Sequence, residues 1–181
     1  MKANEIRRKT VAMITGARGG HLGSSLSEAD ILAVLFFKTL NFRPENLSDP
    51  ERDRFVLSKG HASEGYYSAL AGAGFFPAAW LDTYLSLDCP LTIHPTNHVP
   101  GIEVCTGALG HGFSIAVGMA LGAGKTDKKY RVFVLTGDGE LQEGTNWEAA
   151  MAASYYKLGN LVIIVDANGL QLVDTVANTM E

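Results

Sequence analysis

Cysteine is scarce in this 181-residue sequence, and basic residues do not outnumber acidic ones. Cys89 and Cys105 are the only two cysteines, and they have neither metal-ligand nor thiol-redox spacing. That excludes a disulfide framework and fits a reducing cytosol, with both thiols expected to be buried among apolar neighbours. Fifteen Lys and Arg stand against nineteen Asp and Glu, a formal charge of −4. This argues against a nucleic-acid partner or an anionic membrane surface, which call for a basic patch. No apolar run approaches the roughly 18–20 residues that span a bilayer. The start, Met1 to Arg8, runs into a polar, charged segment rather than a secretory pattern, so a cytoplasmic location is expected. Repeats, low-complexity stretches and long charge runs are absent. Rival motifs are missing too. No Gly-x-Gly-x-x-Gly follows a strand, and no Gly-x-Ser-x-Gly occurs. The Gly-Lys-Thr at 124–126 is not a P-loop, because Met119 occupies the first glycine's position and a strand follows the segment instead of preceding it.

What is present fits one globular domain, at 46% hydrophobic and 19% charged. Residues 3–17 have helical spacing (Ile6, Val11, Ile14) and end in a glycine-rich break at 16–20. Residues 27–40 read as a second helix, with Ser27 and Asp30 resembling a capping arrangement. Residues 55–57 are a short strand, and a helix is expected to start near Ser63. Residues 86–107 show no periodicity and hold three prolines, the mark of a long functional loop. Residues 108–124, rich in Gly, Ala and Met, suggest a closely packed buried helix. A βαβ unit follows. Residues 131–135 form a strand, Gly137-Asp138-Gly139 a turn, and 143–158 a helix with apolar Trp147, Met151, Tyr155 and Leu158. Residues 161–165 form a second strand, apolar on both faces as in a buried parallel sheet. The fold class is therefore α/β, a mainly parallel Rossmann-like sheet flanked by helices.

The crossover leaves both strands' carboxyl ends at one sheet edge, where ligands of open α/β folds bind. Asp138 and Asn168 lie at those two ends, thirty residues apart. A carboxylate and an amide carbonyl are hard oxygen donors suited to Mg²⁺ or Ca²⁺ shared with a phosphate. Gly137 and Gly139 allow close backbone approach to an anion, and the helix that follows would direct its N-terminus there.

This arrangement resembles the thiamine-diphosphate motif, Gly-Asp-Gly followed about thirty residues later by Asn. The resemblance extends along the chain through Gly20-His-Leu-Gly-Ser-Ser-Leu-Ser27, Asp53-Arg-Phe-Val-Leu-Ser-Lys-Gly-His61, His94-Pro95, Pro100-Gly101, Thr106-Gly-Ala-Leu-Gly110 and Gly137-Asp-Gly-Glu-Leu-Gln-Glu-Gly144, in transketolase order. The chain is thus identified as similar to the diphosphate-binding section of the transketolase family.

The resemblance implies thiamine diphosphate as cofactor, with Mg²⁺ (or Ca²⁺) held by Asp138, Asn168 and the carbonyl of Leu170. It implies that His61, Gly107, Ala108, Leu109, Gly137, Asp138, Gly139, Glu140 and Asn168 contact cofactor, and that His21, His61 and His94 serve catalysis. His21 and His94 would face sugar hydroxyls, and Glu143 would lie at a subunit interface toward the partner's active site. His98 and His111 are expected to be local surface or packing residues. His111 and Ile93 depart from the Gln and Gly common in the family. The implied activity is transfer of a two-carbon ketol unit from a ketose phosphate to an aldose phosphate. The pyrimidine-binding domain, which supplies an activating Glu, is absent from these 181 residues. The expectation is a single diphosphate-binding domain, incomplete at its C-terminus. It would act with a separate pyrimidine-domain subunit, forming a homodimer alone and a heterotetramer with that partner. The alternatives are a non-catalytic cofactor-binding or interaction protein, and a 1-deoxyxylulose-phosphate synthase-like enzyme.

Overall fold

The computed structural model describes residues 1–172 and 174–180. The chain forms two compact units, Met1–Arg52 with Gly60–Gly107, and Asp53–Lys59 with Ala108–Glu181.

The first unit is helical. Helix α1 spans Lys2–Ala17 and ends on Arg18 in the left-handed conformation (φ 55°). Its buried face is Ile6, Thr10 and Met13, an i, i+4, i+7 stripe, while Val11 is exposed. The expected stripe of Ile6, Val11 and Ile14 is therefore displaced by a buried threonine, whose hydroxyl lies 3.2 Å from Ser68 Oγ. The expected helix over 27–40 begins earlier and is broken: α2 spans Leu22–Ser27, α3 spans Ala29–Val34, and a π-helical turn covers Leu35–Thr39. Ser27 closes α2 instead of capping a helix. Asp30 pairs with Arg7 of α1, which takes it out of any capping role. The π turn places Phe36 in an aromatic cluster with Phe42, Tyr66 and Phe75.

Helix α4, Ser63–Ala73, starts where expected and is buried over its first eight residues. Its polar side chains hold the long loop. Tyr66 donates to Gly101 O at 2.9 Å, Tyr67 to Thr92 O at 2.9 Å, and Ser63 to Ile93 O at 2.9 Å. No helix or strand occurs among residues 86–107, as the missing periodicity predicts. Cys105 in that loop is exposed and Cys89 half-buried, which corrects the expectation of two buried thiols; Cys105 sits beside the polar Asn97.

The second unit is a three-stranded parallel sheet. Its strands β1 (Arg54–Leu57), β2 (Val132–Gly137) and β3 (Leu161–Asp166) lie in that order. Leu57 pairs with Leu135, and Gly137 with Asp166. Strand β2 is central, and its residues 132–136 are buried. Asp53 pins its start, accepting from Arg131 N at 3.0 Å and Arg131 Nη2 at 2.6 Å. Strand β3 was expected to be buried on both faces, but Val162, Ile163 and Val165 are exposed. Among the described residues no strand pairs with its outer edge, so its apolar faces are only partly covered.

Helix α5 spans His111–Lys125, starting later than expected because Gly110 (φ 79°) ends the preceding loop. One face, including Gly112, Phe113, Ala116 and Ala120, is buried, and the opposite face is open rather than enclosed. Helix α6 spans Gly144–Tyr155 and buries only Asn146 and Ala149. Trp147, Met151 and Tyr155 form an outward apolar stripe, Trp147 being 60% exposed. A short β4–β5 pair (Leu170–Gln171 with Asp174–Thr175) and α7 (Val176–Thr179) follow. No helix among the described residues is long and apolar enough to cross a membrane.

Two glycines of α5 test this packing. A Cβ on Gly112 would lie 2.6 Å from Ser58 Cα, whereas one on Gly118 meets nothing within 4 Å. Gly112→Ala is expected to lose about 1–3 kcal/mol or more through overpacking against backbone. Gly118→Ala is expected to gain about 0.5–1 kcal/mol in helix propensity. Urea unfolding of the two variants measures both signs.

Candidate active site

In the sheet unit the carboxyl ends of β1, β2 and β3 present their polar residues at one edge. Asp138 follows β2. Its Oδ1 accepts from Gly139 N at 3.0 Å and its Oδ2 from Gly169 N at 2.7 Å. The carboxylate therefore reaches the loop after β3, beside Asn168. Asn168 Oδ1 accepts from Leu170 N at 2.9 Å, which turns the chain at Gly169 (φ 73°). The structure thus brings together Asp138, Asn168 and the Leu170 backbone, as the spacing predicts. All three offer oxygen. Asp138 and Asn168 are half-buried, and each oxygen named accepts one hydrogen bond and keeps a further lone pair. That donor set suits a hard divalent ion. Gly139 is held close, since a Cβ there would meet Gln171 at 3.0 Å. At Gly137 a Cβ would meet only Lys59 and Glu140 side chains at ordinary contact distance.

The turn is built on Glu140. Its carboxylate is buried and accepts from Ser58 Oγ at 2.6 Å, Gly110 N at 2.8 Å and Gly137 N at 3.1 Å. Its own carbonyl accepts from Asn146 Nδ2 at 2.6 Å. A 3₁₀ turn, Gly139–Gln142, therefore follows Asp138, and α6 begins only at Gly144. The expected helix N-terminus directly after Gly139 is replaced by this tighter turn. Glu143 is the exposed residue before α6 and makes no capping hydrogen bond. At the same edge the buried Lys59 ammonium donates to buried Asp166. Ala108 and Leu109 precede α5, and the exposed His111 ring stays local, with Nδ1 3.1 Å from Leu109 O.

The helical unit carries the other predicted residues. His21, His61 and His94 form a cluster, with ring centroids 5.5 Å (His21–His61) and 6.1 Å (His21–His94) apart. Gly107 (φ 144°) lies against them, and a Cβ there would be 2.9 Å from the His94 ring. A Cβ on Gly60 would in turn lie 2.6 Å from Gly107 N. Beneath the cluster is Glu64, which sequence reasoning missed. It is fully buried, and its carboxylate accepts from His21 N at 2.9 Å, Tyr84 OH at 2.7 Å and Ser25 Oγ at 2.7 Å. The only sequence signal was its place three residues after His61, in the first turn of an apolar helix. Burial, then the neighbouring His21, hold His94 below the usual histidine range, against a smaller upward pull from Glu64. His98 is exposed.

A parallel sheet with an aspartate turn and a facing asparagine at its carboxyl edge belongs to the open α/β folds that bind ligands there. All 181 residues match the family described as transketolase, thiamine diphosphate binding domain. The chain belongs to the transketolase family. It is 53% identical over 173 residues to an apulose-4-phosphate transketolase subunit of Actinobacillus succinogenes, covering 94% of this chain and 63% of that one. It is 43% identical over 180 residues to the protein of the same name from Phocaeicola vulgatus, covering 99% and 64%. The transketolase structure from Campylobacter jejuni superposes with a TM-score of 0.94 at 35% identity, covering 99% of this chain and 30% of that one. The chain thus spans less than two thirds of the length of these relatives.

Two variants probe the site's construction. Glu140→Ala leaves three buried donors unmet and is expected to cost about 3 kcal/mol or more in unfolding free energy. His94 binds a proton less readily folded than unfolded, so its contribution lowers stability as pH falls below about 6.5, the unfolded value. His94→Gln should make the fall in melting temperature between about pH 7 and 5 shallower. A melting series across that range compares the two proteins.

Proposed function

We propose that this chain is the diphosphate-binding subunit of a two-chain, cytoplasmic transketolase. It would move a two-carbon ketol unit from a ketose phosphate to an aldose phosphate together with a separate pyrimidine-domain subunit. The observation that carries the reading is Asp138, whose carboxylate bridges its own turn and the Asn168–Gly169 loop. The relatives from Actinobacillus succinogenes and Phocaeicola vulgatus are each named as one subunit of a transketolase, which supports a separate partner chain.

Asp138, Asn168 and the Leu170 carbonyl would hold Mg²⁺ against the diphosphate, with Gly137 and Gly139 giving backbone approach. Bound there, thiamine diphosphate supplies the electron sink for carbon–carbon cleavage beside a carbonyl. Glu140 would act through the turn, since its carboxylate is engaged by Ser58, Gly110 and Gly137. Ala108 and Leu109, with Gly107, would border the cofactor's ring. His61 would bind the diphosphate, and His21 and His94 would hold and move protons of the sugar hydroxyls. A depressed His94 stays neutral near pH 7 and is ready to accept such a proton. Glu143 and the exposed stripe of Trp147, Met151 and Tyr155 would meet another chain, giving a homodimer alone and a heterotetramer with the partner.

Calorimetry tests the assignment. With the partner subunit present, thiamine diphosphate and Mg²⁺ should bind with heat that EDTA abolishes, and Asp138→Ala should weaken binding by more than about 100-fold. Ketol transfer should require both chains. Undiminished Mg²⁺-dependent binding by Asp138→Ala would remove the metal assignment, and turnover by this chain alone would remove the two-chain reading.

A further inference from the structure

The Nδ1 atom of His21 is buried and has no hydrogen-bond partner among the described residues, although the side chain is 39% exposed. Leaving such a nitrogen unmet costs free energy, so its surroundings decide whether it carries a proton. Glu64 Oε1 lies 4.0 Å away. That oxygen already accepts from the His21 backbone N–H and from Tyr84 OH, which fixes it beside the ring. Gly20 (φ 140°) leaves room for it, since a Cβ there would sit 2.3 Å from the same oxygen. A bare nitrogen lone pair aimed at a carboxylate oxygen is repelled, whereas an N–H is attracted. Both groups are anchored by other contacts, so a small ring rotation closes the gap.

We propose that Glu64 is a positioning residue that holds His21 as the Nδ1–H tautomer and so leaves Nε2 as a hydrogen-bond acceptor for a hydroxyl of the substrate. The substrate part rests on the ketol-transfer reading above; the tautomer does not. An acceptor at Nε2 receives a proton from a sugar hydroxyl, whereas the opposite tautomer could only donate there. Glu64 therefore sets which direction of proton transfer His21 serves.

Long-range ¹H–¹⁵N spectra of the histidine-labelled full chain read the tautomer directly. They are recorded at a pH where the ring is neutral, with His21→Asn assigning the signal. The neutral ring is expected to be Nδ1–H by at least about ten-fold, the scale of a hydrogen bond to a charged acceptor. Glu64→Gln should move the proton mainly to Nε2. Tyr84→Phe removes the competing donor on Oε1 and should shift the Nδ1 proton downfield. A wild-type ring protonated on Nε2, or an unchanged Nδ1–H tautomer in Glu64→Gln, overturns the proposal. Should Glu64→Gln not fold, an unmoved proton in Tyr84→Phe overturns it equally. Because the spectra need no cofactor or partner, loss of thiamine diphosphate binding would strike the functional reading and leave this one standing.

Discussion

The buried carboxylate of Glu140 is the constraint on which the sheet's working edge depends. It gathers the hydroxyl after β1, the amide at the end of β2 and the amide before α5 onto two oxygens. Three chain segments that come from distant parts of the sequence are thereby fixed at their termini. Desolvating a carboxylate is costly, and these donors offset it only when all are in place. The turn that follows has no freedom to continue as an α-helix, so Asp138 is held where its second oxygen reaches the amide of Gly169. The Lys59–Asp166 pair adds a second buried charge contact between the ends of β1 and β3, and its stem runs 3.9 Å from where a Gly137 Cβ would be.

The helical unit uses the same device with another acid. Glu64 collects a backbone amide and two hydroxyls, and the histidine cluster rests on that arrangement. Around it, α4 turns its hydroxyls toward a stretch with no backbone ladder of its own. Tyr66, Tyr67 and Ser63 each bind a carbonyl of that stretch. A loop rich in proline is thus given a defined path by side-chain hydrogen bonds from a neighbouring helix.

Much of this was legible in residue order. The apolar runs at 132–135 and 161–165 read as adjacent parallel strands, and the aspartate and asparagine after them fall together as their spacing requires. Glu140 and Glu64 were not legible as hubs. An acid near the start of a helix looks the same in sequence whether it faces solvent and the helix dipole or is swallowed by the core. Burial of that kind is decided by distant partners such as Ser58 and Ser25. Trp147, Met151 and Tyr155 show the converse. Their spacing is that of a core-facing stripe, yet the inward face of α6 is made by Asn146 and Ala149. Periodicity identifies a face without saying what covers it. The divided helix after Gly20 was hidden because Ser27 and Asp30 mimic a cap, whereas Asp30 is taken by Arg7.

The π-helical turn at Leu35–Thr39 leads into the aromatic cluster of Phe36, Phe42, Tyr66 and Phe75. Such a turn accommodates one residue more than an α-helix of the same rise. Removing one residue there would restore ordinary winding and rotate what lies beyond it by about 100°. Phe36 and Leu40 could not both keep their buried places after that rotation. Aligned with a relative carrying an unbroken α-helix, this segment would therefore show a single-position gap, and the gap belongs inside 35–39 rather than in the loop that follows.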